Sequence, residues 1–232
     1  MKVQANTTRS LIEAIITKGN LKQEVYHTTL NAFNAFKSAG ESLMNKNHAF
    51  IEKAKYALPF SYKDRGQFEF RLKFGSDILI FFMHSNVFDI PRDHEVMKTA
   101  YIKEDKSRSY CGIIHIFNFL ADSFRYNRIN DIGYCIGRIF LNREGHYFIE
   151  GKREIGLLYN NFPYAILDDK SVQNILHSSI LYSLNFDLLT PPFENIREVT
   201  AGEMQTTLDA FSISTGKRLG FRFQADSPEK QG

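Results

Sequence analysis

The sequence predicts an α+β fold in which helices pack on one face of an antiparallel sheet of hairpins, beside an N-terminal helical segment. Apolar residues recur at helical spacing between Thr7 and Leu58, and from Gln67 onward the spacing shortens to two residues. A period of two is typical of strands with one buried face. Short turn sequences interrupt this second pattern, so its strands are expected to pair as hairpins.

Composition supports a single globular core. The chain has 232 residues, of which 43% are apolar and 24% are charged. The longest apolar run, Ile78–Met83, is far shorter than the roughly 20 residues that cross a bilayer, so we expect no membrane partner. Cys111 and Cys135 form no disulfide framework, and the first ten residues lack the apolar stretch of a secretory signal. These features predict a soluble protein of the cytoplasm.

The elements at the start and end of the chain define its expected division. We predict a helical segment at 1–58, an α+β domain at 59–224 and a disordered polar tail at 225–232. Within the first segment, Gly19 and Gly40 predict breaks between three successive helices.

The first hairpin follows from strict alternation. Apolar and charged residues alternate over 67–74, and Gly75 then turns the chain into the apolar strand Ile78–Met83. The following connection, 91–109, is long, charged and aperiodic. Such a connection is expected to be a mobile loop that faces a partner.

The second half of the chain contains the remaining predicted elements. The stretch 109–127 has apolar residues at helical spacing, which favours a buried helix, although its isoleucines also fit a strand. Ile132–Leu141 and His146–Arg153 predict a second hairpin. Asp169–Leu184 predicts a helix by its apolar stripe, which ends before Pro191-Pro192. A segment beginning at Thr200 predicts another, because Thr200 and Glu203 form a capping box before an apolar stripe.

The second hairpin also supplies the candidate site. A four-residue loop would pair Leu141 with His146 and Gly137 with Glu150. One face would then place small residues opposite a carboxylate and an amine, which leaves room for an unknown protein or a small anionic ligand. The candidate ligand-binding residues are Gly133, Cys135, Gly137, His146, Glu150 and Lys152. The alternative is an ordinary ion pair on a half-exposed strand, with glycines that only allow the sheet to twist.

Glu150-Gly151-Lys152 resembles the E-x-K half of the PD-(D/E)xK nuclease signature, with Asp131 at the place of the first acid. The resemblance implies metal-assisted phosphodiester hydrolysis, in which two acids hold a divalent cation and the lysine orients the attacking water. In the expected hairpin, however, Asp131 lies about 20 Å from Glu150 along the ladder. The nuclease therefore requires a different position of the turn, a sharply bent strand or another acid, such as Asp77 or Asp122.

The motifs of other enzymes are missing from the sequence. It has no Gly-rich phosphate loop, no G-x-S-x-G and no C-x-x-C, and its seven histidines show no metal-ligand spacing. We therefore predict no catalytic residue, no cofactor and no metal, and we favour a non-catalytic binding or regulatory module. After the nuclease, the second alternative is a nucleic-acid-binding regulator, because residues 1–58 hold eight basic and four acidic side chains.

Overall fold

The computed structural model describes residues 2–152 and 161–187, with Ile155 and a few separate positions between 190 and 204. Within these residues it contains one antiparallel sheet of seven strands with helices packed against it, which confirms the predicted fold class. The strands are β1 (Phe60–Asp64), β2 (Glu69–Phe74), β3 (Asp77–Met83), β4 (Phe88–Asp89), β5 (Tyr110–Leu120), β6 (Tyr134–Asn142) and β7 (Tyr147–Gly151). Their order is β1-β2-β3-β5-β6-β7, and β4 pairs with the start of β5. The α-helices are α1 (Lys2–Ile51), α2 (Ala100–Glu104), α3 (Ala121–Arg125) and α4 (Asp169–Leu184).

The N-terminal segment forms one unbroken helix of 50 residues. The predicted breaks at Gly19 and Gly40 are therefore wrong. A glycine inside a helix costs only about 1 kcal/mol relative to alanine, and packing elsewhere along the helix outweighs that cost. Gly40 is buried, and a Cβ atom added there would lie 3.2 Å from Leu72 Cδ2. This glycine lets α1 approach β2 closely instead of ending the helix.

Only part of α1 packs on the sheet. Its buried stripe consists of Val25, Thr29, Phe33, Phe36, Gly40 and Met44. The closest approach is at Gly112 of β5, where an added Cβ atom would lie 2.1 Å from Thr29 Oγ1. Residues 7–20 are all exposed, including Leu11 and Ile15 at 58% and 57%. The N-terminal end of α1 thus extends past the edge of the sheet.

The first predicted hairpin is present as β2 and β3. Phe70 is fully buried, and its ring stacks on that of Phe81 with 4.6 Å between centroids. Gly75 forms the turn with a φ of +52°, a conformation that favours glycine. β1, which the sequence analysis did not predict, extends the hairpin by pairing Phe60 with Phe74.

β5 replaces most of the helix that was favoured for residues 109–127: the alternative, a strand, is correct for Tyr110–Leu120, and only Ala121–Arg125 (α3) is helical. β5 lies between β3 and β6 and is buried on both faces. Ile114 and Ile116 face α1, whereas Ile113 packs on the opposite side. A strand buried on both faces shows no alternation, so its sequence also fits a buried helix.

The connection 91–109 is structured and differs from the expected loop. It consists of α2 between two 3-10 turns, Glu95–Lys98 and Lys106–Ser109. Val96 and Ile102 anchor it in a second hydrophobic cluster, on the sheet face opposite α1. The cluster comprises Ile90, Val96, Ile102, Cys111, Ile113, Phe140, Phe148 and Phe162. Turns of four or five residues are too short for an apolar stripe to repeat in the sequence.

The predicted helix Asp169–Leu184 is confirmed as α4. The Asp168 carboxylate caps it by accepting a hydrogen bond of 2.7 Å from the backbone N–H of Ser171. α4 packs beside α1 on the same face of the sheet. No helix in the described part of the chain is both long and apolar enough to span a membrane. Most of the helix predicted from Thr200 and the whole tail predicted at 225–232 lie outside the described residues.

Candidate functional site

The hairpin that carries the predicted site has a different register. Leu141 pairs with Tyr147 and Arg138 pairs with Glu150, so the expected pairing of Gly137 with Glu150 is wrong by one residue. The connection has five residues, 142–146, instead of four. Asn142 shapes this longer loop, because its Oδ1 accepts hydrogen bonds of 3.0 Å from the backbone N–H groups of residues 144 and 146.

A β-bulge further separates the predicted residues. The pairing of β5 with β6 shifts between Ile116 and Phe117, so that Ile136 and Gly137 both face the core. An added Cβ atom at Gly137 would be in ordinary contact with Ile149 and Ile155, at 3.5 and 3.6 Å. The space above Gly137 is thus already occupied by core side chains.

Gly133, Cys135 and His146 lie on the opposite sheet face or in the loop. At Gly133 an added Cβ atom would lie 2.1 Å from the Phe119 ring, so that ring fills the expected gap. Cys135 as a residue is exposed to solvent, but its thiol is partly covered by neighbouring groups, and this burial raises the pKa of the thiol. His146 lies in the loop, where its Nδ1 is 3.0 Å from the carbonyl oxygen of Phe162 and its ring stacks on Tyr101.

The carboxylate of Glu150 contacts two basic side chains, Arg138 and His94. Arg138 Nη2 donates to one carboxylate oxygen, and His94 Nε2 lies 3.0 Å from the other. Asp131, the proposed first acid of the nuclease signature, has different partners and accepts a hydrogen bond of 2.6 Å from Ser123 Oγ. Among the described residues, no group of three or more His, Cys, Asp or Glu side chains is arranged to hold a metal ion.

Lys152 belongs to a separate feature, which we call the Asn118 cavity. It is a small, partly enclosed space of about 10 Å³ between the ends of β5 and β6 and the last turn of α4, about enough for one water molecule. Its lining residues are Asn118, Tyr134, Ile136, Lys152, Tyr182, Ser183 and Phe186. The structure thus separates Lys152 from the other five predicted residues and places it beside residues that were not predicted.

The sheet geometry explains how these residues meet. Asn118 lies near the end of β5, opposite Leu79 on one side and Tyr134 on the other. Its side chain is therefore on the core face, under the C-terminal turn of α4. Beyond β7, the backbone N–H of Lys152 donates to the carbonyl oxygen of Ile136 at 3.1 Å, which brings this lysine to the cavity edge.

Asn118 is the unusual member of the cavity. The residue is 3% exposed, and neither its Nδ2 nor its Oδ1 has a hydrogen-bond partner in the described structure. A buried polar group left without a partner costs about 1–3 kcal/mol. The exposed Lys152 side chain at the edge forms no ion pair within the described residues. The cavity therefore offers a donor, an acceptor and a positive charge to a ligand.

Sequence reasoning missed Asn118 because 109–127 was first read as a helix. The strand alternative contained the relevant signal. Ile114, Ile116 and Asn118 have a spacing of two, so a strand places the amide on the same inward face as the two isoleucines. One polar residue at an inward position of an apolar strand is unusual enough to mark a site.

Comparison of the chain with protein-family models, curated protein sequences and solved structures finds no match in any of the three.

Proposed function

We propose that this protein is a non-catalytic binding module that takes a small anionic ligand in the Asn118 cavity. The observation that carries the proposal is the buried Asn118 amide, whose donor and acceptor both lack a partner among the residues that the structure describes. Native proteins pair almost all such groups, and exceptions are concentrated where a ligand or an ordered water completes the set. Lys152 at the cavity edge supplies the charge that selects an anion.

The chemistry of the lining supports binding over catalysis. Its side chains supply an amide, an amine, a hydroxyl and two phenols, but no carboxylate, imidazole or thiol. Histidine and the carboxylates are common general acids and bases, and a serine nucleophile is commonly activated by such a base beside it. Apolar walls instead lower the local dielectric constant, which strengthens each hydrogen bond to a bound ligand.

The two alternative functions, a metal-dependent nuclease and a nucleic-acid-binding regulator, receive less support from the geometry. Glu150 and Lys152 lie on different sides of the sheet, because Arg138 holds the former and the cavity beside α4 contains the latter. The basic N-terminal segment has several lysines in internal contacts: Lys37 pairs with Asp64, and Lys18 contacts Tyr110. The free thiols of Cys111 and Cys135 support the proposal of a reducing location such as the cytoplasm.

The test is a thermal-unfolding titration with sodium benzoate at neutral pH and constant ionic strength. At ten times Kd, mass action adds about 1.4 kcal/mol of stability, which corresponds to a rise in Tm of about 3–6 °C for a chain of this size. Lys152→Ala is expected to abolish the rise. Lys63→Ala, which removes an exposed lysine from β1 at the far edge of the sheet, is the matched control and should retain it.

Benzyl alcohol, the neutral counterpart of benzoate, should give a smaller shift than benzoate. An unsaturable rise, or the same rise in wild type and Lys152→Ala, would overturn the proposal.

A further inference from the structure

The sheet face opposite α1 carries a continuous row of aromatic rings, which we call the outer aromatic surface. The rings belong, in spatial order, to Phe88, His84, Phe82, His115 and Phe117, and neighbouring centroids are 4.8–6.4 Å apart. Strand pairing produces the row, because His115 lies directly opposite Phe82 and Phe117 follows two residues later on the same face. The pairing of β3 with β5 therefore fixes these rings beside one another.

The outer aromatic surface is only partly covered by the rest of the described chain. α1 and α4 pack on the other face of the sheet, and the connection 91–109 covers the first half of β5 and the parts of β6 and β7 beside it. Phe82 and Phe88 remain 37% and 36% exposed, and His115 and Phe117 are half-buried. A contiguous patch of exposed aromatic side chains usually marks an interaction site.

The charged side chains around the rings are mostly basic. On the described strands of this face they are Lys63, Arg71, Lys73, Arg138, Glu69 and Glu150. Ion pairs with the two glutamates hold Arg71 and Arg138 in place. The excess of two positive charges therefore comes from Lys63 and Lys73, on the side of the rings where β1 and β2 lie.

We propose that the outer aromatic surface binds single-stranded nucleic acid, either RNA or DNA. The exposed rings provide faces on which unpaired bases stack, and the lysines beside them attract the phosphates that link these bases. Burial and the charge of Arg138 lower the pKa of His115. Its ring is therefore uncharged at neutral pH and offers an aromatic face like those of its neighbours.

Other occupants fit this surface less well. A duplex keeps its bases stacked inside, so it offers phosphates to the lysines but no bases to the rings. A second copy of the chain would bring two surfaces with the same excess charge together, which opposes association. The surface lies across the sheet from α1 and from the Asn118 cavity, so it is independent of the proposed function and of the basic N-terminal segment.

The experiment measures fluorescence anisotropy of labelled oligonucleotides of about ten nucleotides, a common site size for such surfaces, with the full chain at low salt. An RNA strand, a DNA strand of the same sequence and a DNA duplex of the same length are compared. At least one single strand is expected to bind about ten times more tightly than the duplex or better, because stacking is available only to unpaired bases. The tighter of the two strands identifies the class of nucleic acid.

Two kinds of variant separate stacking from charge. Phe82→Ala should weaken single-strand binding by about fivefold or more, because it removes one stacking partner. Phe50→Ala, which removes a more exposed phenylalanine from the end of α1, is the matched control and should bind as wild type does. Lys63→Ala and Lys73→Ala should each reduce the slope of log K against log salt concentration by about 0.7. Lys46→Ala, an exposed lysine of α1, should leave the slope unchanged.

Three results would overturn the proposal. The first is equal binding of single strand and duplex, which would make the surface a general phosphate-binding patch. The second is a Phe82→Ala variant that binds as tightly as wild type while the lysine variants bind less tightly, since the rings would then have no part in recognition. The third is a lack of oligonucleotide binding, and a dimer that Phe82→Ala converts to a monomer in analytical ultracentrifugation would then identify the surface as an interface between copies.

Discussion

Replacing Asn118 with leucine tests the central physical argument without any ligand. The two side chains have the same number of heavy atoms and the same branching at Cγ, and the site is 3% exposed, so the change removes two polar atoms that have no partner among the described residues and keeps the shape of the side chain. Each unpaired group costs about 1–3 kcal/mol, and the added apolar surface contributes further. Allowing for relaxation around the cavity, Asn118→Leu should raise the free energy of unfolding by about 1–3 kcal/mol.

Asn142 provides the matched control, because it is equally buried in the neighbouring strand but fully bonded. Its Nδ2 donates to Tyr101 Oη at 2.8 Å, and its Oδ1 accepts from two backbone N–H groups at 3.0 Å. Asn142→Leu leaves those partners without hydrogen bonds inside the protein. It should therefore lower the free energy of unfolding by about 2 kcal/mol or more.

The assay is urea denaturation followed by circular dichroism, with both variants compared to wild type at equal m-value. Opposite signs for the two substitutions are the expected result. A loss of more than about 1 kcal/mol in Asn118→Leu would show that the amide is satisfied in the native protein. The argument for a ligand at this amide would then be refuted.

Three further predictions concern the fold. Gly112→Ala should lower the free energy of unfolding by about 1–3 kcal/mol in urea denaturation, because the added Cβ atom would lie 2.1 Å from Thr29. Gly137→Ala, whose Cβ atom would lie 3.5 Å from its nearest neighbour, should be neutral or slightly stabilising. Equal effects of the two substitutions would contradict the packing described for α1. Phe70→Ala should cost about 3–5 kcal/mol in the same assay, and a loss below about 1 kcal/mol would exclude Phe70 from the core. Hydrogen bonds from the side chain and the backbone of Ser107 lower the pKa of Asp105 in the folded protein. The ionised carboxylate therefore stabilises the fold at pH values above the unfolded pKa of about 3.9. This stabilisation is lost as the pH falls through the folded pKa. The stability of Asp105→Asn should depend less on pH below about pH 4, and an unchanged acid profile of Tm would argue against this contribution.

The parts of the fold that were predictable are those in which local signals agree. β2 shows strict alternation, and α4 combines the Asp168 cap with an apolar stripe. β5 was ambiguous, because burial on both faces removes the alternation that identifies a strand. The continuity of α1 depends on contacts between Gly40 and β2, which local helix propensity does not contain.

The candidate site was predictable only in part. Lys152 was among the expected residues, but its neighbours at the cavity come from β5, β6 and α4. The register of the hairpin depended on one extra loop residue, which the hydrogen bonds of Asn142 stabilise. Side chains along a strand alternate between the two faces of the sheet. A one-residue shift in the pairing of β6 with β7 therefore changes which residues of β6 share a face with a given residue of β7. The β-bulge at Ile136 also places Gly137 on the core face, and no pattern in the sequence predicts this bulge.

The position of α1 in the chain has a consequence for the protein during its synthesis. α1 leaves the ribosome before β5, and the glycine that Thr29 contacts, Gly112, follows Thr29 by about 80 residues. At about 5–20 residues per second, translation of that interval takes about 4–16 s. During this time the part of α1 around Thr29 lacks the β5 surface that later covers it, whereas Phe33 and Phe36 can already pack on Phe70 of β2 and Phe81 of β3. The α1 surface around Thr29 therefore stays uncovered until β5 has been synthesised and pairs into the sheet.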